Sequence, residues 1–321
     1  MKYIVLDLEW NRPENVTEID NPGLVFEIIE IGAVKLDQSG RIEDGFSELV
    51  NPQVYRTLNA VTGQLVHLDM EELKKGSPFR EVMQRFLEWC GKEEFMFCTW
   101  GNADLTELQR NMEYYGMEPL SHGPIRFYDI QKIYAYIYEE DKKAKRTLEY
   151  AVDFLGIEKE DSFHRAYGDA CYTGKVLNRM LKDETGQFVY VSYDVHHPPV
   201  SRKSEIKIQF PTYFKYISRS FQEKAEVMKD REVASTRCYL CHHNVKKKVR
   251  WFTVNHKNYF CVAHCDKHGY LKGKIRILKT DDELFFAVKT TKLIPEEGVE
   301  QILRKRKKAL EMHKKQKKKT F

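Results

Sequence analysis

The chain has 321 residues, a net charge of +5, 42% hydrophobic residues and 12% aromatic residues. That suits two or three folded units and is too apolar for a disordered chain. No run approaches the ~18 uncharged apolar residues of a membrane span, and the first apolar run carries Asp7 and Glu9, which a secretory leader would not; a cytoplasmic protein without membrane association is expected.

The charge is unevenly spread. Residues 1–193 hold 22 Lys/Arg against 34 Asp/Glu, residues 194–302 hold 21 against 13, and residues 303–321 hold 10 against 1. An acidic front and a basic back predict different tasks, with a polyanion as partner for the back.

In chain order, residues 3–8 read as a buried strand, 26–36 as a second and 42–50 as a third. Asp37-Gln38-Ser39-Gly40 is a turn sequence joining the last two as a hairpin. Residues 78–90 have helix period, with Ser77 as N-cap and Pro78 at the first helical position. Residues 95–100 are a fourth strand and 103–115 a helix. Residues 126–128 are a fifth strand, and helices follow at 129–139, 147–155 and 165–181, the second of these ended by Gly156. This order predicts an α/β domain, a mixed five-stranded sheet with flanking helices, over residues 1–193. Residues 194–211 contain three prolines and read as a linker, and 212–232 as a charged helix, so that 194–235 form a connection. Residues 236–294 form a small β-rich module, and 295–321 a basic tail, helical or disordered.

Asp7 and Glu9 are two residues apart on a strand, so both side chains share one face. Neighbouring carboxylates repel unless a cation lies between them. An exposed acidic edge strand is the simpler alternative. Asp104 sits where a strand hands over to a helix, a place suited to an N-cap or to a site residue. His164 precedes a helix and Asp169 lies one turn into it, where an acid also serves the helix dipole.

Taken together, these residues resemble the DEDDh family of 3′→5′ exonucleases, which have a ribonuclease H-like fold. Asp7-Leu8-Glu9 matches the first family motif, Gly101-Asn102-Ala103-Asp104-Leu105 the second, and His164 with Asp169 the third, His-x4-Asp. The resemblance covers residues 1–185, and within the family it points to the branch of the sporulation inhibitor KapD and of animal exoribonucleases that trim histone-mRNA and small-RNA ends. It implies a catalytic set of Asp7, Glu9, Asp104, His164 and Asp169. The four acids would hold two Mg²⁺ or Mn²⁺ ions, and His164 would act as general base. Thr62-Gly63 resembles the family's loop beside the terminal nucleotide, which Leu8 and Trp10 would also line. Trp10-Asn11 departs from the Thr or Ala that many members carry after the Glu, so the wall next to the 3′ end is expected to differ.

Seven cysteines make a disulfide framework an unsuitable reading. Cys238-x2-Cys241 and Cys261-x3-Cys265, 19 residues apart, resemble a zinc ribbon with one structural Zn²⁺, His264 and His268 being alternative ligands. Cys90, Cys98 and Cys171 fall on apolar faces as core residues. Lys246, Lys247, Lys248 and Trp251 are candidate contacts to nucleic acid, by charge and by stacking; a scaffold with solvated lysines is the alternative. The expected partner is single-stranded RNA or DNA with a free 3′ end, RNA being favoured. A regulatory nucleic-acid-binding protein with a nuclease fold is the competing reading, and a phosphodiesterase for very short oligonucleotides a third.

Overall fold

The structure is a computed structural model describing residues 1–13, 23–160, 162–183 and 188–319, with side chains in the last helix as far as residue 312. Residues 320–321 of the basic tail lie outside the described residues. The chain divides into two units, Met1–Val195 and His196–Phe321. Among the described residues no helix is long and apolar enough to cross a membrane.

In the first unit, β1 (Lys2–Asn11), β2 (Glu27–Leu36) and β3 (Ile42–Leu49) form an antiparallel meander. Asp37 closes the β2–β3 turn by accepting from the Ser39 and Arg41 N–H groups, and Gly40 takes a φ of +82° there. The short helices α1 (Ala60–Val66) and α2 (Met70–Leu73) and the longer α3 (Phe79–Cys90) follow. Helix α3 starts after Pro78 as N-cap, not Ser77, and no side chain caps it. Then come β4 (Phe95–Thr99), α4 (Asp104–Tyr114), β5 (Ile125–Asp129), α5 (Ile130–Tyr138), α6 (Leu148–Phe154) and α7 (Ala166–Asp183).

The sheet has six strands, not five, in the order β3-β2-β1-β4-β5-β6. The extra strand, β6 (Ser192–Asp194), is only three residues long and pairs antiparallel with β5. Its end is locked by side chains: Asp194 accepts from Thr106 Oγ1 and, at 2.7 Å, from Gln109 Nε2. So short a strand leaves no period to read.

Strands β1, β4 and β5 run parallel. The chain winds outward from β1 through β2 and β3, then crosses back to place β4 on the other side of β1. A crevice forms at the carboxyl ends of strands where winding reverses in this way. One face of β1, with Ile4, Leu6 and Leu8, packs into a core with Phe79, Val82, Met83 and Phe86 of α3 and Leu105 and Leu108 of α4. The opposite face carries Asp7 and Glu9, so the period-two expectation holds until a bulge after Glu9.

In the second unit, a six-stranded antiparallel sheet runs in the order β7-β8-β12-β11-β10-β9. The expected linker and charged helix are a misreading. Residues 194–235 contribute β7 (Ile206–Gln209) and β8 (Phe214–Ile217), followed by two single-turn helices, α8 (Lys224–Val227) and α9 (Arg231–Ala234). Prolines and charges flank these four-residue strands and mask their alternation. The expected module and tail join them: β9 (Lys246–Thr253), β10 (Asn258–Cys265), β11 (Gly269–Lys279), β12 (Phe285–Leu293) and helix α10 (Glu296–Lys319). One face of this sheet packs Tyr216, Ile275 and Ala287 against Val227 and Val233 of α8 and α9. On the other face, α10 docks Ile302 and Val299 onto Val249, Phe260 and Val262.

Candidate active site and candidate metal centre

The strand register brings the acids together. Asp7 lies opposite Gly32 and Glu9 opposite Glu30 on β2. A Cβ on Gly32 would sit 2.1 Å from the Ala166 backbone, so only glycine lets the start of α7 close onto the sheet at this level. That close approach delivers Asp169: ligand oxygens of Asp7, Glu9 and Asp169 all lie within 4.8 Å of one another. Asp104 is the first residue of α4, after Ala103 as N-cap, and is 7% exposed. It is therefore not the helix cap.

Electrostatics mark these acids out. Burial first, then the charges of Asp104, Asp169, Glu9 and Glu30, hold the Asp7 carboxyl well above the usual carboxylate range. Burial and the neighbouring carboxylates push Glu9 up to about 8. Burial pushes Asp104 up to about 7, against the pull of its own N–H and that of Leu8. Asp169 rises to about 6, again mainly through burial, with His164 pulling the other way. Four acids that resist ionisation together form a site suited to cations. Asp169 Oδ1 is buried and accepts no hydrogen bond among the described residues, whereas its Oδ2 accepts from the His164 N–H at 3.2 Å. His164 adopts φ +67°, an uncommon conformation for a side chain other than glycine, and its ring is exposed. The ring is near enough for its charge to lower the Asp169 carboxyl, as the backbone N–H also does.

Two residues that sequence reasoning missed hold this arrangement. Glu30, 1% exposed, pairs with Arg165 through contacts of 2.8, 3.0 and 3.3 Å and accepts from the Ala166 N–H at 3.3 Å. It fixes the first turn of α7, three residues before Asp169. A charged residue inside the run Phe26-Glu27-Ile28-Ile29-Glu30 was the available signal. Glu27 is its counterpart: buried, it accepts from the N–H groups of Gln53, Val54 and Tyr55 and from the Tyr115 hydroxyl.

The expected lining residues are placed differently. Leu8 is a core side chain that reaches the site only through its N–H, and Trp10 packs against the same core and the Phe26 ring. Thr62 and Gly63 lie within helix α1 rather than in a loop. Asn11, next to Trp10 in the stretch that departs from the family pattern, ties that helix to β1: its side chain donates to Thr57 O at 2.9 Å and accepts from the Asn59 N–H at 2.9 Å, and Asn59 caps α1.

In the second unit, ligand atoms of Cys238, Cys241, Cys265 and His268 lie within 4.8 Å of one another. Cys238 and Cys241 come from the loop before β9, Cys265 from the end of β10 and His268 from the β10–β11 turn. His268, not Cys261, completes the set. Cys261 is 1% exposed, points towards Gly273 on the packed face of the sheet, and burial pushes its thiol up to about 12. His264 also stays outside: its Nδ1 is 3.3 Å from Asp266. The Cys241–Cys265 Sγ separation is 3.6 Å, and His268 Nδ1 is 3.4 and 3.6 Å from the Cys238 and Cys265 Sγ atoms. A disulfide needs about 2.05 Å. A tetrahedral ion with bonds of about 2.3 Å to sulfur and about 2.0 Å to nitrogen spaces its ligands by about 3.8 Å (S to S) and about 3.5 Å (S to N), close to the separations found here. At Cys265 the effect of burial is outweighed by the His268 hydrogen bond and by backbone N–H groups, which bring the thiol down to about 6.

Trp251 is not an exposed platform. Its Nε1 donates to Ala234 O at 2.9 Å and its ring packs in the second core, whereas Lys246, Lys247 and Lys248 are exposed on edge strand β9. Cys90 and Cys98 are buried as expected, and Cys171 is half-buried.

The model of the Exonuclease family (RNase_T) matches residues 4–177. The chain belongs to this family. It is similar to 3′-5′ exoribonuclease 1 of Rattus norvegicus, 24% identical over 178 residues that cover 53% of this chain and 51% of the relative. The Homo sapiens protein of the same name is 23% identical over 171 residues, 50% of this chain and 48% of its own. The chain thus spans about half the length of the curated relatives it matches. A solved structure of histone mRNA stem-loop recognition by a 3′-exonuclease aligns with a TM-score of 0.50 at 18% identity, over 62% of this chain and 93% of that one. That likeness bears on the fold, which is the ribonuclease H-like fold of the exonucleases.

Proposed function

We propose that this chain is a two-metal-ion 3′→5′ exonuclease that removes nucleotides from the 3′ end of single-stranded nucleic acid, RNA in preference to DNA. The observation that carries the reading is the convergence of the Asp7, Glu9 and Asp169 carboxylates within 4.8 Å, with Asp104 close enough to raise the Asp7 carboxyl. The names of the curated relatives favour RNA.

The site's chemistry fits hard divalent cations: every donor is a carboxylate oxygen, and Asp169 Oδ1 is buried with no partner among the described residues. Two Mg²⁺ or Mn²⁺ ions supply the charge that activates water and stabilises a leaving oxygen. Asp7, between the other acids, would hold both ions; Glu9 and Asp169 would complete the first position, and Asp104 the second. Glu9 would also orient the terminal 3′-OH. His164 takes the proton of the attacking water, its backbone anchored by Asp169 and its ring free of the core. In the second unit, Cys238, Cys241, Cys265 and His268 would hold one Zn²⁺. Four protein ligands leave no open position, so this ion is structural.

Matched RNA and DNA oligonucleotides with free or blocked 3′ ends, and circular RNA, test the reading. Mn²⁺-dependent shortening of free 3′ ends, faster on RNA and abolished by EDTA, is the expected result. Cleavage of circular RNA or shortening from the 5′ end contradicts it.

A further inference from the structure

Arg165 stands beside the proposed catalytic acids with only part of its guanidinium engaged. Its Nε and Nη2 atoms meet the Glu30 carboxylate at 2.8, 3.0 and 3.3 Å. Its Nη1 has no partner among the described residues, and the side chain is 39% exposed. Glu72, whose charge also reaches Arg165, is engaged elsewhere: it closes the cap of α2 by accepting from the Asp69 N–H. A bidentate contact occupies one edge of a guanidinium and leaves another edge of N–H donors open. Glu30 is 1% exposed, so the guanidinium is held on a fixed base and the open edge has a fixed direction.

The register states what lies beside that edge. Glu30 is the direct cross-strand neighbour of Glu9, and directly opposed residues share a sheet face with Cβ atoms about 5 Å apart. The guanidinium therefore lies next to the Glu9 carboxyl. Burial and the neighbouring acids raise that carboxyl, and the charge of Arg165 pulls it the other way. Glu9 is the group proposed to orient the terminal 3′-OH, and the adjoining carbon of a ribose carries the 2′-OH. A carboxylate acceptor with a guanidinium donor beside it matches this cis-diol: the 3′-OH donates to Glu9 and the 2′ oxygen accepts from Arg165. We propose that the open edge of Arg165 reads the 2′-hydroxyl of the last nucleotide, so that discrimination between RNA and DNA is made at the terminal sugar. A site built to hydrogen-bond a hydroxyl rejects the analogue that lacks it, and the 2′-OH is the group by which a protein tells RNA from DNA. The proposal rests on the exonuclease reading and deepens it, placing the sugar preference in the nucleotide that leaves.

Four 5′-labelled oligonucleotides of one sequence test this in Mn²⁺ with the full-length chain: all RNA, all DNA, RNA ending in one deoxynucleotide, and DNA ending in one ribonucleotide. The parent should remove a terminal ribonucleotide at least about tenfold faster than a terminal deoxynucleotide on either strand, as expected for one hydrogen bond from a charged donor. The DNA ending in a ribonucleotide should lose that nucleotide and then stall. Arg165→Lys keeps a cation for Glu30 but has no second planar edge, and should remove both kinds of end at equal rates. Glu30→Gln/Arg165→Met removes the donors without stranding a buried carboxylate, and should equalise the ends even if Arg165→Lys fails to fold. Glu30→Gln alone still offers an oxygen to Arg165 and should keep the preference. A purely structural role for Arg165 would slow both ends by one factor and keep their ratio, which overturns the proposal. Equal rates in the parent overturn it too, as does a terminal ribonucleotide on DNA that resists removal, since the preference would then lie upstream. Failure of the exonuclease reading looks different: the parent would leave all four 3′ ends intact, and this proposal would fall with that reading.

Discussion

Replacing Asp104 by Asn should stabilise the metal-free protein while impairing it as an enzyme. Asp104 is 7% exposed, and its carboxyl is pushed from an ordinary 3.8 to about 7. In the unfolded chain the group ionises near 4, so between pH 4 and 7 the native state holds a proton that the unfolded state has released. The native state is thus favoured at low pH and loses this advantage as the pH rises through 7. The shift of about 3 units, at about 1.4 kcal/mol each, sets an upper bound of about 4 kcal/mol on what ionised Asp104 costs above that pH. Asn cannot ionise but still offers an oxygen to the Leu8 N–H. Urea denaturation in EDTA should find the variant more stable than the parent by about 2–4 kcal/mol at pH 8.5, by about 1.5 kcal/mol at pH 5 and within about 0.5 kcal/mol of it at pH 4. Saturating Mn²⁺ should shift the balance back towards the parent, because cation binding at 100-fold over Kd adds about 2.7 kcal/mol to it. A variant less stable than the parent at pH 8.5 in EDTA, or a difference independent of pH, would refute the electrostatic account of the site.

Three further outcomes are expected. Gly32→Ala should force α7 off the sheet and displace Asp169; a misplacement of about 1 Å costs about 100-fold in turnover, and wild-type turnover would show that the 2.1 Å approach to Ala166 has no catalytic consequence. Arg165→Met leaves Glu30 buried without its cation and should destabilise by about 3–5 kcal/mol, whereas Glu30→Gln/Arg165→Met should lose less; equal losses in chemical denaturation would show that the charge of Glu30 is not the cause. Purified protein should contain one zinc per chain by atomic emission, lost in Cys265→Ser or His268→Ala and kept in Cys261→Ala; zinc loss in the last variant would restore Cys261 as a ligand.

The first unit was legible because its elements are long and periodic. Asp7 and Glu9 declared a shared face through strand period alone, while Asp104, His164 and Asp169 took meaning from their order in the family pattern. Strand β6 was not legible, being three residues held by Asp194 contacts to a helix some 85 residues earlier. Glu30 and Arg165 were hidden because their partnership spans 135 residues. The same limit applied to the cysteines. Spacing showed that four lie near one another in the chain, but whether Cys261 joins the cluster is decided by the alternation of β10, which turns Cys261 towards Gly273, and by the turn that presents His268. Strands β7 and β8 were lost among prolines and charges because each is four residues long and is stabilised by pairing, β8 with β12 some 70 residues away.

The central claim, that the converging carboxylates hydrolyse nucleic acid from its 3′ end, is tested most directly by Asp7→Asn. With 3′- and 5′-labelled RNA in Mn²⁺, the parent should release the 3′ label first and shorten the strand stepwise, and Asp7→Asn should release nothing while keeping its fold and its zinc. Digestion by Asp7→Asn at the parent's rate would contradict the account.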